Sequence, residues 1–319
     1  MKKSLLMFTA LAAVSMMGAT GCTKKADFNI GICQLVRHVA LNEATKGFQD
    51  ALKEKMKEAG KSVSFDLQIA GGEANNCSVI ASNFVAKKKD LIMANATPAL
   101  LAARNSTTTI PVLGTSITEY SSIVGKEDLS HGTGTNVSGT SDLASLDEQA
   151  QMIIDNFPTR TKVGILYCTG ESNSKYQADQ VKAYLEAHNR TVDVITFATA
   201  NDLSASLTGK INKVDVLYIP TDNTCADSAT LIDSICHNAN VPVVAGEEGI
   251  CKKCGTFTFS ISYYNIGLET GYMAAEILLE GADIKTMPIR YDNSPVKKYN
   301  PEICARFDLE IPEGYVAIE

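Results

Sequence analysis

Val163-Gly164-Ile165-Leu166-Tyr167-Cys168-Thr169-Gly170-Glu171 passes from apolar to polar within a few residues. Its first five residues form a short apolar run closed by turn formers, the signature of a buried strand. Asn173–His188 then reads as a helix, and Val192–Phe197 as a second strand. A strand, a helix and a strand in this order make a βαβ unit, because parallel strands need a crossover of a dozen or more residues.

The same alternation extends in both directions. Upstream, strand-like segments at Asn29–Leu35, Val63–Ala70, Leu91–Ala94 and Val112–Gly114 alternate with helical ones at Ala40–Ala59, Asn75–Lys88 and Pro98–Arg104. Gly132-Thr133-Gly134-Thr135 reads as loop, after which helix Leu143–Asn156 restarts the pattern. Downstream come helix Leu203–Ile211, strand Val214–Ile219, helix Ala226–Asn238 and strand Val241–Ala245. Two consecutive series of this kind predict an α/β protein of two doubly wound parallel-sheet lobes. The β-rich Thr256–Ser262 precedes a long amphipathic helix, Tyr264–Leu279, closed by Gly281. In two-lobed folds with several hinge crossings such a helix returns to the first lobe, and the last thirty residues cross again. The expected division is residues 29–138 with 263–287 in lobe one, and 139–262 with 288–319 in lobe two.

The N-terminus sets the compartment. Lys2 and Lys3 precede the apolar run Leu5–Met17, and small residues lead to Cys22. This is a secretory signal over residues 1–21, with an apolar core too short to span a bilayer. Ala19-Thr20-Gly21-Cys22 resembles a bacterial lipobox, which predicts a diacylglyceryl group on Cys22 and a spacer over 22–28. Removing the signal takes two lysines and no acid, so the net charge falls from −7 to −9. An acidic chain of this kind lacks the basic face that nucleic acid requires. No other segment approaches the roughly 20 apolar residues of a membrane span.

In open parallel sheets ligands bind beyond the carboxyl ends of the strands. In lobe one those ends carry Gln34, Gly71-Gly72-Glu73, Ala96-Thr97 and Thr115-Ser116. In lobe two they carry Tyr167 to Glu171, Pro220-Thr221-Asp222-Asn223 and Gly246-Glu247-Glu248-Gly249. Hydroxyls and carboxylates crowd these ends while the strands behind them are apolar. Single members also suit helix N-caps, which favour Ser, Thr, Asp and Asn. Catalytic patterns are missing: there is no GxSxG elbow and no HExxH, and His38, His131, His188 and His237 are the four histidines. Cys251-Lys252-Lys253-Cys254 is the one close cysteine pair, without a second pair at zinc-site spacing. The other cysteines could pair in an oxidising compartment, with no connectivity readable from sequence. No cofactor or metal is called for.

Several of these segments carry a family resemblance. Ile30-Gly31-Ile32-Cys33-Gln34 with His38, Ala94-Asn95-Ala96-Thr97-Pro98-Ala99 and Val137-Ser138-Gly139-Thr140-Ser141-Asp142 match in order. So do Gly164-Ile165-Leu166-Tyr167, Glu171-Ser172-Asn173-Ser174, Tyr218-Ile219-Pro220-Thr221-Asp222-Asn223 and Gly246-Glu247-Glu248-Gly249. Together they resemble the substrate-binding family of ABC transporters that includes the tryptophan/tyrosine-type receptors. The resemblance implies the type I periplasmic-binding fold, an amino-acid ligand that is often aromatic, and a monomeric receptor serving membrane permease subunits without catalysis of its own. The family often reads His-Pro-Ala-Leu-Asp where this chain has His38-Val39-Ala40-Leu41-Asn42, and it usually lacks the Cys251/Cys254 pair.

A zwitterionic ligand needs both charges paired when buried. The expected carboxylate end is Thr97, Thr115 and Ser116, at helix starts whose free N–H groups favour anions. The expected ammonium end is Asp222, Glu247 and Glu248. Tyr167, Tyr263 and Tyr120 are the candidate ring wall, since the chain has no Trp. Gln34, Asp142, Asn173, Ser174, Thr221 and Asn223 complete the expected site. Two other readings stay open: a sensory or regulatory receptor on the same fold, and a thiol-redox lipoprotein working through Cys251 and Cys254.

Overall fold

The computed structural model describes residues 26–292 and 294–319; the predicted signal and Cys22 lie outside the described residues. The first sheet contains β1 (Phe28–Gln34), β2 (Val63–Ile69), β3 (Leu91–Asn95), β4 (Val112–Ile117) and β5 (Val137–Ser141). The second contains β6 (Lys162–Cys168), β7 (Thr191–Phe197), β8 (Val216–Ile219), β9 (Val243–Ala245) and β10 (Phe257–Ser260). The short β11 (Arg290–Tyr291) then joins the first sheet, and β12 (Val296–Tyr299) and β13 (Val316–Ala317) join the second. Strand order is β11-β5-β4-β3-β1-β2 in one sheet and β13-β12-β10-β9-β8-β6-β7 in the other. Among the described residues, only the β10–β12 pairing is antiparallel.

Central strands such as Leu91–Asn95 and Val216–Ile219 are buried along their whole length, as expected of sheets covered on both faces. One core of the first sheet gathers Phe84, Leu100 and Ile92, and its other face gathers Ile30, Phe48 and Met93. Ile195, Leu217 and Ile232 fill one face of the second sheet, and Ile165, Tyr218 and Phe257 the other. Each such side chain contributes roughly 1.5–3 kcal/mol when fully buried.

The chain crosses between the sheets three times, after β5, after β10 and after β11. After β10, helix Tyr263–Ala275 lies against helix Val39–Glu58, and it continues through a π-helical turn, Glu276–Glu280, to Gly281. The two helices touch backbone to backbone. A Cβ on Gly47 would stand 2.2 Å from the Tyr264 carbonyl oxygen, and one on Gly267 2.1 Å from that of Ala44.

Two elements depart from expectation. Val137–Ser141 is a fully buried strand of the first sheet, and β11 pairs beside it. Residues 139–141 and 290–291, assigned above to lobe two, therefore sit on sheet one. Val137-Ser138-Gly139-Thr140-Ser141 holds only one large apolar residue, so no hydrophobic run announces it. Glu248–Cys254, which is not among the helices expected above, is a helix capped by the Glu247 side chain. Among the described residues, no helix is long and apolar enough to cross a membrane.

Candidate functional site

The carboxyl ends of the two sheets face each other, and a small polar pocket lies between them. His38, Leu41, Ser116 and Asp142 come from the first-sheet side. Asn173, Thr221, Asp222, Asn223, Ala226 and Glu247 come from the second, and Tyr263 from the returning helix. Among the described residues, neither Lys nor Arg lines it.

Its three carboxylates are held in different ways. Asp222 caps helix Asn223–Asp227: Cys225 N donates to Oδ1 and Cys168 N to Oδ2, both at 2.8 Å. Burial, reinforced by neighbouring Glu171, lifts its carboxyl to about 7. Glu247 accepts from the backbone N–H groups of Gly249 and Ile250, and burial lifts it to about 7 as well. Asp142 follows β5 at the first crossing. Tyr263 Oη donates to its Oδ2 at 3.0 Å, and its Oδ1 is buried without a hydrogen bond. Burial raises it to about 6 against the pull of the Tyr263 bond.

Unpartnered polar atoms concentrate here. Among the described residues, eight buried side-chain nitrogen or oxygen atoms lack a hydrogen bond, and four belong to pocket-lining residues: His38 Nδ1, Ser116 Oγ, Asp142 Oδ1 and Asn173 Oδ1. An unpaired buried polar group costs roughly 1–3 kcal/mol. Four at one place mark a surface built to receive a polar ligand.

Eight of the expected residues thus meet in the pocket: Ser116, Asp142, Asn173, Thr221, Asp222, Asn223, Glu247 and Tyr263. The others stand elsewhere. Gln34 is consumed internally, donating to Val36 O and Asn42 Oδ1 and accepting from Thr45. Thr115 accepts from Thr140 across the strands. Thr97 begins helix Thr97–Ser106 and borders a shallower groove. Tyr167 packs in the core of the second sheet, and Tyr120 is buried with its hydroxyl on Thr140 O. Ser174 is fully buried and reaches Thr221 O at 3.4 Å, bracing the loop. Glu248 pairs with Lys298 at 2.6 Å and does not line the pocket.

The sequence reading missed His38, Leu41 and Ala226 as lining residues, together with a brace behind them. Glu171 is 4% exposed and receives Asn223 N, Asn223 Nδ2, Thr224 N and Thr224 Oγ1. His38 was legible only as part of a motif, because its partners lie 185 residues away. Cys251 and Cys254 are buried, and burial pushes both thiols well above their ordinary range. All eight described cysteines are free, which gives the redox reading no support.

Only about 10 Å³ of the polar pocket is open to a water-sized sphere. A larger cavity of about 270 Å³ adjoins it and shares Asn223. Leu35, Val36 and Pro98 line it from one lobe, and Ala198 and Ala200 from the other.

A two-lobed α/β chain with a buried polar pocket between its sheets defines the class of ligand-enclosing receptors. Within that class the chain belongs to the ABC transporter substrate binding protein family, whose model matches residues 29–317. It is a binding protein of an extracytoplasmic kind, not an enzyme. A tyrosine-binding protein of Clostridioides difficile is 34% identical over 299 residues, covering 89% of this chain and 86% of that one. An ABC domain from Streptococcus pneumoniae solved with L-Trp is 28% identical, with a TM-score of 0.85 over 91% of this chain and 99% of that one. A ligand-free, open substrate-binding protein with adhesive properties from Clostridium difficile is 34% identical, with a TM-score of 0.69 over 92% and 99%. The fold is the type I periplasmic-binding fold. The superposition is better on the L-Trp complex than on the ligand-free, open structure, and in this chain His38 of one lobe meets Asn223 of the other at 3.1 Å.

Proposed function

We propose that this protein binds an aromatic amino acid between its lobes and delivers it to a membrane permease, as a monomer held at the membrane by a lipid on Cys22. The observation that carries the ligand class is the pocket itself. Three carboxyl side chains and the bare acceptors Asp142 Oδ1 and Asn173 Oδ1 face it, and among the described residues no Lys or Arg does. A buried group of this polarity calls for a ligand cation with several N–H donors, which an ammonium supplies. Asp222 and Glu247 spend their oxygens on backbone N–H groups, so Asp142 is the ion-pairing partner. The Ser116 hydroxyl serves the ligand carboxylate, and the ring takes the adjoining cavity on the side of Leu35, Val36, Pro98, Ala198 and Ala200. The tyrosine and L-Trp named for the relatives support an aromatic side chain. Because the pocket draws on both lobes, only the closed state satisfies the ligand, which then favours closure about the three crossings.

Isothermal calorimetry with L-tryptophan, L-tyrosine and L-phenylalanine tests this reading, with the desamino analogue 3-indolepropionate as comparison. The amino acids are expected to bind and the analogue to fail. Equal binding of the analogue would remove the ammonium from the account.

A further inference from the structure

We infer that His38 is the ligand-reading end of an interlobe latch, His38–Asn223–Glu171, which fixes the imidazole as its Nε2–H tautomer and presents a bare Nδ1 to an N–H of the bound amino acid. The inference rests on the amino-acid reading above and adds a specificity-determining residue to it.

Glu171 anchors the latch. Its two carboxylate oxygens are surrounded by donors: Asn223 N at 3.0 Å and Asn223 Nδ2 at 2.6 Å on Oε2, and Thr224 N at 2.9 Å and Thr224 Oγ1 at 2.8 Å on Oε1. The Asn223 amide can turn only its NH2 toward such a group, so its oxygen points the other way. That oxygen stands 3.1 Å from His38 Nε2, and because Oδ1 can only accept, Nε2 carries the proton. A neutral imidazole has one N–H, which leaves Nδ1 as an acceptor.

His38 is free to make this contact. It precedes helix Val39–Glu58, yet its side chain makes no capping bond. It is 7% exposed, its Nδ1 has no partner, and it lines the same pocket as the bare Asp142 Oδ1 and Asn173 Oδ1. Burial pushes the imidazole below its ordinary value, with the Asn223 bond, Glu171 and Asp227 opposing and Lys253 assisting, which favours the neutral ring. Three acceptors then meet the three N–H groups of an ammonium. Since His38 belongs to one lobe and Asn223 and Glu171 to the other, the latch exists only when the lobes are shut.

The test uses the full chain, with wild-type calorimetry first. If L-tryptophan, L-tyrosine and L-phenylalanine all fail to bind, the amino-acid reading falls and this inference falls with it. With whichever of these binds, long-range 1H–15N spectra of histidine-labelled protein are expected to show the Nε2–H tautomer for one ring. That ring is identified by its loss in His38→Gln. An Nδ1–H tautomer, or the averaged pattern of an exposed ring, would overturn the assignment. Stopped-flow binding to Asn223→Leu is expected to show dissociation at least tenfold faster with association unchanged, because the latch forms only on closure. Wild-type dissociation in Asn223→Leu, with wild-type spectra for the ring, would refute the latch while leaving the amino-acid reading intact.

Discussion

Asp142 stands where the first sheet hands the chain to the second, with one oxygen on Tyr263 and the other bare. Replacing it with Asn keeps the shape and removes the charge. Asp142→Asn is expected to weaken amino-acid binding by about 2–5 kcal/mol, the scale of a broken buried charge pair. Calorimetry beside the wild type measures it, and unchanged affinity would place the ammonium elsewhere. Protons compete with the ligand for the same carboxylate. Wild-type affinity is therefore expected to fall as pH drops below about 6, where Asp142 titrates in the closed state, and Asp142→Asn to show a flatter profile. Stability of the empty protein runs the other way. Asp222 and Glu247 titrate near 7 when folded, above the ordinary carboxyl range near 4. Between those values the folded chain holds protons that the unfolded chain has released, so stability decreases as pH rises through that window. The ligand-free protein should melt higher at pH 5 than at pH 8, with the difference reduced in Glu247→Gln. The strand-end rule located Asp222 and Glu247 from sequence, because position in a parallel sheet is fixed by the βα pattern, whereas Asp142 was legible only through the family motif. It could not tell a cap from a ligand contact: Asp222 and Glu248 read alike, yet one is buried at the pocket and the other pairs with Lys298.

At the scale of elements, the contact between helices Val39–Glu58 and Tyr263–Ala275 ties the returning segment to the first lobe. Gly267 lets the Ala44 carbonyl approach to where a methyl would stand. Gly267→Ala is expected to cost about 1–3 kcal/mol, the usual range for overpacking, and urea unfolding of the ligand-free protein measures it. An unchanged midpoint would mean that the helices separate easily. Long periodic elements such as Ser172–Ala187 were legible to within a residue or two. Val137–Ser141 and Glu248–Cys254 were not, for physical reasons. The strand is built of small polar residues whose burial comes from neighbours on both sides. The helix is only seven residues long and is capped by a Glu, a residue outside the favoured N-cap set.

For the whole molecule, the closed arrangement brings Asp142, Asp222 and Glu247 around one small pocket. Their mutual repulsion and desolvation oppose closure until a ligand cation arrives. The anchor is a separate matter of the N-terminus: Cys22→Ser is expected to leave the protein in the soluble fraction or unprocessed, and full retention in the membrane fraction would remove the lipid from the account. The central claim, that an aromatic amino acid fills this cleft, has a direct optical test, because the chain contains no Trp. All indole emission in a mixture with L-tryptophan comes from the ligand, so a titration of L-tryptophan with the protein reads transfer of the indole from water into the cleft. The account predicts a saturable blue shift, displaced by L-tyrosine or L-phenylalanine if either binds more tightly, with aliphatic amino acids displacing weakly. No shift with L-tryptophan and no calorimetric binding of L-tyrosine or L-phenylalanine, while an aliphatic amino acid, a purine or a sugar binds, would contradict it.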